Sequence, residues 1–156
     1  MKKGPLTVAE VRHVEHRFAV LTSFLDVFSD PTFSRASDLT KEDGIFRGCM
    51  DGAMATCRAV CERFDLTMNS SSWTAALQPC PATFKSKTRV LFPRALDSEC
   101  EALWEVLIAA NRCVCHLEDK LIDHNVRPEI LRDAVGLVRN ITRFKLSEAN
   151  LPSRVI

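Results

Sequence analysis

The sequence predicts an all-α fold: an antiparallel four-helix bundle with a long irregular connection between its second and third helices. Three observations carry this. Four segments repeat apolar residues at steps of three and four, capping residues stand at their starts, and only one short segment alternates like a strand, with no second run to pair with it. At 156 residues the chain has the size of one domain, so 1–156 reads as a single bundle with an irregular insertion over about 66–95.

Thr7-x-x-Glu10 is a capping box, and Val11, Val14, Phe18, Leu21, Leu25 and Phe28 follow on one stripe of a first helix of roughly six turns. Ser29-Asp30-Pro31 interrupts it. Thr40 caps a second helix whose stripe is Phe46, Met50, Ala53, Cys57, Val60 and Phe64, closing near Asp65. This helix also carries Gly44, Gly48 and Gly52 along one ridge, each costing about 1 kcal/mol relative to alanine. The expected compensation is close approach of a neighbouring helix; the alternative is a groove floor for a small ligand or peptide.

Between Asp65 and Ala95, Trp73 to Leu77 reads as a helical turn, and Phe84 to Phe92 as an extended arm with Phe84, Val90 and Phe92 on one side and Lys85, Lys87 and Arg89 on the other. Ser98-x-x-Glu101 is a second capping box opening the longest helix, about Asp97 to His124. Pro128 opens the last helix, with Ile130, Ala134, Leu137, Val138, Ile141 and Phe144 inward and Arg132, Arg139 and Arg143 within a narrow outer arc, either a solubilising face or a dock for an acidic partner or RNA. Phe18, Leu21, Met50, Val60, Leu107, Leu137 and Ile141 are the expected core.

Composition narrows the functional classes. Hydrophobic residues at 46% and charged residues at 26% describe an ordinary globular chain. No run reaches the ~18 apolar residues of a membrane span, and the Met-Lys-Lys-Gly-Pro start has no apolar stretch after its charges, so no membrane association and a cytoplasmic location are expected. A net charge of +1 gives no bulk attraction to nucleic acid. The seven cysteines lack a repeated C-x-x-C spacing and read as reduced, buried residues. His13-x-x-His16 with Cys57-x-x-x-Cys61 has zinc-ligand spacing. The histidines fall on the polar side of their helix and Cys57 on an apolar stripe, so neither metal nor cofactor is expected.

The stretch Ala110 to Lys120, A-N-R-C-V-C-H-L-E-D-K, is the richest in chemistry. On a helical wheel Asn111 and Glu118 fall within the apolar stripe, where a buried polar group costs several kcal/mol unless satisfied, and they read as a register-fixing pair. Arg112 and His116 lie on another face beside Glu105, Asp119 and Asp123, one turn apart. They read either as a solvated face or as a phosphate-binding guanidinium beside an imidazole that shuttles protons.

A helical bundle with Asn111-Arg112-x-x-x-His116 late on a long helix resembles the HEPN superfamily, small bundles common in prokaryotic toxin–antitoxin and defence systems. The resemblance implies a ribonuclease site of arginine, a following polar residue and histidine, assembled across a homodimer; many relatives lacking the motif are binding or regulatory modules. Here Asn111 precedes Arg112, and three residues separate Arg112 from His116, fewer than the usual gap. The first expectation is therefore a non-catalytic HEPN-like module that works through a homodimer or a protein partner, with Asn111, Glu118, Asp119, Arg132, Arg139 and Arg143 as candidate binding residues. The alternatives are a metal-independent ribonuclease using Arg112 and His116, with Lys85, Lys87 and Arg89 tracking RNA, and a ligand-binding bundle using the glycine ridge.

Overall fold

Five helices and no strand make up the described part of the chain: α1 (Val8–Phe28), α2 (Leu39–Arg63), α3 (Ala82–Leu91), α4 (Asp97–Ala109) and α5 (Pro128–Glu148). The structure is a computed structural model describing residues 7–28, 39–66, 79–111 and 126–148. None of these helices is long and apolar enough to cross a membrane.

The capping box of α1 forms as the sequence predicts. The Thr7 N–H donates to Glu10 Oε2 at 2.8 Å, and the Glu10 N–H donates to Thr7 Oγ1 at 3.3 Å, satisfying two donors that a helix start leaves open. At the end of α2 the Asp65 N–H bonds the Glu62 carbonyl and the Leu66 N–H bonds the Cys61 carbonyl at 2.8 Å, with Asp65 in the left-handed region at φ 57°. That is a Schellman stop with aspartate where glycine is usual, and it drives Leu66 back into the core.

The segment read as an extended arm is the helix α3. Phe84 and Thr88 are buried and Leu91 is half-buried, at steps of four and three, whereas Val90, expected on the same side of the arm as Phe84, is 75% exposed. Thr88 is what hides the helical period. Its hydroxyl donates to the Phe84 carbonyl at 2.9 Å, so a nominally polar residue enters the core satisfied. With no strand to pair with, the backbone closes its own hydrogen bonds, and Pro93 ends the helix by holding Phe92 extended.

The second capping box also shifts. The Glu99 carboxylate accepts the Leu96 N–H at 2.9 Å, so α4 begins at Asp97 with Ser98 already inside it. Glu101 instead meets Lys85 of α3 at 2.6 Å, while Arg89 binds Asp97. The Asp97 carboxyl is held below its ordinary value, first by the Arg89 hydrogen bond and then by the Lys85 charge. A depressed carboxyl stabilises the fold at pH above its unfolded value and loses that contribution as pH falls through the lower folded value. The attachment of α3 is therefore expected to weaken only below about pH 4. Acid titration followed by Trp104 fluorescence in a Trp73→Phe background checks this: Asp97→Asn should flatten the acid limb, and an unchanged limb would contradict it.

Helix α4 is buried around nearly its whole circumference, with Cys100, Leu103, Trp104, Val106, Leu107 and Ile108 all in the core. It packs on α5 and α2, and α3 covers a further side through an edge-to-face contact of Phe84 and Trp104, ring centroids 5.1 Å apart. Of the expected core, Phe18, Met50, Val60, Leu107, Leu137 and Ile141 are buried and Leu21 is half-buried.

Candidate functional site

Near the N-terminus of α1 and the C-terminus of α2, the two helices leave a cleft of about 290 Å³. Val14 and Val60 bring apolar surface from opposite sides, and Ala55 and Ala59 keep the α2 wall low. The Thr56 hydroxyl donates to the Gly52 carbonyl at 2.7 Å, which occupies the polar end of another lining residue. His13, Arg17 and Arg63 supply basic groups, and Glu10 is the one acid in the lining. Glu10 is already committed: its carboxylate accepts both Thr7 donors and lies 3.7 Å from Arg63. Those Thr7 hydrogen bonds, ahead of the Arg63 charge, hold its carboxyl below the ordinary value.

Beyond the cleft, the same arc of α1 turns apolar. His13, Arg17, Val20 and Phe24 are spaced four, three and four residues apart and share one helical face, with Val20 and Phe24 each 42% exposed. On α2, Ala55 and Ala59 line the cleft, and a Cβ on Gly52 would touch Leu21 of α1.

Gly48 and Gly52 do not mark a tight helix crossing. Gly48 is exposed, a Cβ built on it meets nothing within 4 Å, and one on Gly52 makes an ordinary 3.7 Å contact with Leu21 Cδ2. Gly48→Ala is therefore expected to raise stability by about 0.5–1 kcal/mol, the helical propensity gained without a clash. A thermal melt showing a loss would mean that a neighbouring side chain occupies the space.

Of the sequence-predicted site, Asn111 is buried, at the end of α4 where Ala110 and Asn111 widen into a π-type turn. Arg112, His116, Glu118 and Asp119 lie outside the described residues, as do Trp73 to Leu77. The arginines of α5 do not all point to open solvent. Arg132 lies 3.4 Å from Asp26 of α1, and Arg139 and Arg143 are half-buried. Burial, then the like charge of Arg139, pulls the Arg143 guanidinium below its ordinary value, with Glu15 of α1 acting against both. Asp26 and Glu15 have the same separation in sequence as Arg132 and Arg143, so α1 supplies acids in register with the arginine row. Of the proposed RNA-tracking residues, Lys85 and Arg89 bind Asp97 and Glu101, and Lys87 is exposed.

The zinc combination does not assemble. Among the described residues no three His, Cys, Asp or Glu side chains are placed to hold a metal. Cys57 and Cys61 are buried in the core, and burial pushes the Cys57 thiol up to about 12 and Cys61 well up, which disfavours the thiolate that a metal requires.

Arg17, Arg63, Val20 and Phe24 were not among the residues singled out from the sequence. One signal was available: Val20 and Phe24 lie off the apolar stripe of α1 yet on the same arc as His13 and Arg17. No family model, curated protein or solved structure matches the chain.

Proposed function

We propose that the chain is a non-catalytic, HEPN-like bundle of antiparallel helices that acts in the cytoplasm by binding a protein partner or a second copy of itself. The observation that carries this reading is the α1–α2 cleft with its apolar walls Val14 and Val60, beside an arc of α1 on which Val20 is also exposed. Singly exposed apolar residues are ordinary, but a concave site with apolar walls and a few polar groups is the pattern of a binding surface. Antiparallel order is supported by the pairs Glu10 with Arg63 and Leu21 with Gly52, which run in opposite senses along α1 and α2. Sedimentation of the wild type and of Val20→Glu/Phe24→Glu tests the self-association arm: a dimer lost in the variant, at unchanged melting temperature, assigns the face to a second copy. A monomer in both removes the second copy as the partner.

A metal-independent ribonuclease is the second reading, with Arg112 holding phosphate and His116 as acid or base. The wide turn at Ala110 and Asn111 favours it, since such turns occur frequently at functional sites in helices. RNA cleaved by the wild type and spared by an equally stable His116→Ala would establish this reading, and RNA left intact by both removes it.

A further inference from the structure

Among the polar groups that line the α1–α2 cleft, the side chains able to donate a hydrogen bond to an anion are His13, Arg17 and Arg63. Thr56 has no proton to offer, because its hydroxyl is spent on the Gly52 carbonyl. Arg63 faces the Glu10 carboxylate at 3.7 Å, so those two charges answer each other, whereas no ion pair engages Arg17 among the described residues. Glu10 and Arg17 are seven residues apart on α1, about 10 Å along its axis. Negative charge brought to Arg17 is therefore remote from the one carboxylate in the lining, and that carboxylate already has its counter-charge. His13 stands one turn before Arg17 on the same face and adds a second donor. Beside them, the side chains of Val14, Val60, Ala55 and Ala59 offer carbon alone.

We propose that the cleft binds a small amphiphilic monocarboxylate, its carboxylate held by Arg17 and His13 and its apolar chain lying between Val14 and Val60. The one unmatched arginine sets a single negative charge. The carbon walls set an apolar tail, since a polar one would lose its water there without gaining a partner. The volume of about 290 Å³ is at the small end of ligand pockets, which sets a body of about ten non-hydrogen atoms. Such a ligand site goes beyond the protein-binding reading and does not require it.

Sodium octanoate is the probe, titrated into the full chain and followed by amide chemical shifts. The shifts should saturate at Val14, Arg17, Ala59 and Val60, with a dissociation constant on the order of 0.1–1 mM for a ligand of this size. Shortening the tail to hexanoate and then butanoate should weaken binding about two- to fourfold per methylene. Arg17→Gln should weaken octanoate about tenfold and leave the affinity for 1-octanol unchanged, a difference that a merely unfolded or loosened cleft would not produce. Ala59→Trp, which fills the cleft from an exposed position, should abolish binding at an unchanged melting temperature. An affinity independent of tail length, equal binding of octylamine, indifference to both substitutions, or no saturable shift up to about 10 mM octanoate would overturn the proposal. Sedimentation of Val20→Glu/Phe24→Glu is read with no carboxylate present, so the ligand site and the module reading stand or fall separately.

Discussion

Leu107→Ala is expected to lower the unfolding free energy by about 2–5 kcal/mol, among the largest effects of any single truncation in this chain. Leu107 is 3% exposed on α4, whose neighbouring residues Leu103, Val106, Ile108 and Ala110 are also buried. A helix surrounded in this way cannot collapse into the space vacated by three carbons, so the loss of transfer free energy is joined by the cost of a cavity. Val90→Ala, at a position 75% exposed, serves as the control and should stay within about half a kcal/mol. Urea melts decide it: a change in Leu107→Ala below half a kcal/mol would mean that α4 is rotated from the register described.

The helices were legible where local signals and burial agree. Thr7 and Glu10 form the cap that their spacing announces, and Val11, Phe18 and Leu25 are buried as the stripe requires. Legibility failed where burial depends on a partner distant in sequence. Helix α4 reads as amphipathic because Glu105 breaks its pattern, yet the helix is enclosed almost all round once α3 folds over it. The basic residues Lys85 and Arg89 read as a nucleic-acid track because the acids that bind them, Asp97 and Glu101, belong to a different element.

The cleft shows the same division. His13 was noticed only as half of a zinc pair with His16, since a single helix suggests pairs along itself. Its neighbours in the cleft, Arg63 and Ala59, come from α2, some fifty residues later in the chain. A wheel can reveal that His13, Arg17, Val20 and Phe24 share an arc; it cannot reveal that Ala55 and Ala59 of α2 line the cleft beside His13 and Arg17. The glycine ridge was legible as a cost in need of a compensation. That close helix approach does not supply it at Gly48 follows from the exposure of Gly48 and the ordinary contact at Gly52, both tertiary facts.

The second large effect is expected at Phe84, where replacement by alanine should cost about 3–5 kcal/mol. Phe84 is 4% exposed, and its ring meets Trp104 edge-on, an arrangement that adds to the area it buries. The magnitude alone does not separate a docked helix from a docked extended arm, since either one can bury a phenylalanine. Lys87→Pro separates them. Lys87 is exposed in the interior of α3, so no packing is lost with its side chain, but proline there removes the N–H that bonds the preceding turn and clashes with that turn's carbonyl, at about 3 kcal/mol. An extended segment at an unpaired edge would accept the same substitution at little cost. Chemical denaturation in a Trp73→Phe background should therefore show Phe84→Ala and Lys87→Pro both strongly destabilised, with the Trp104 emission of the native state shifted toward that of exposed indole. If Lys87→Pro were as stable as the wild type while Phe84→Ala was not, residues 82–91 would be an arm that docks through one ring, and the helical assignment of α3 would have to be abandoned.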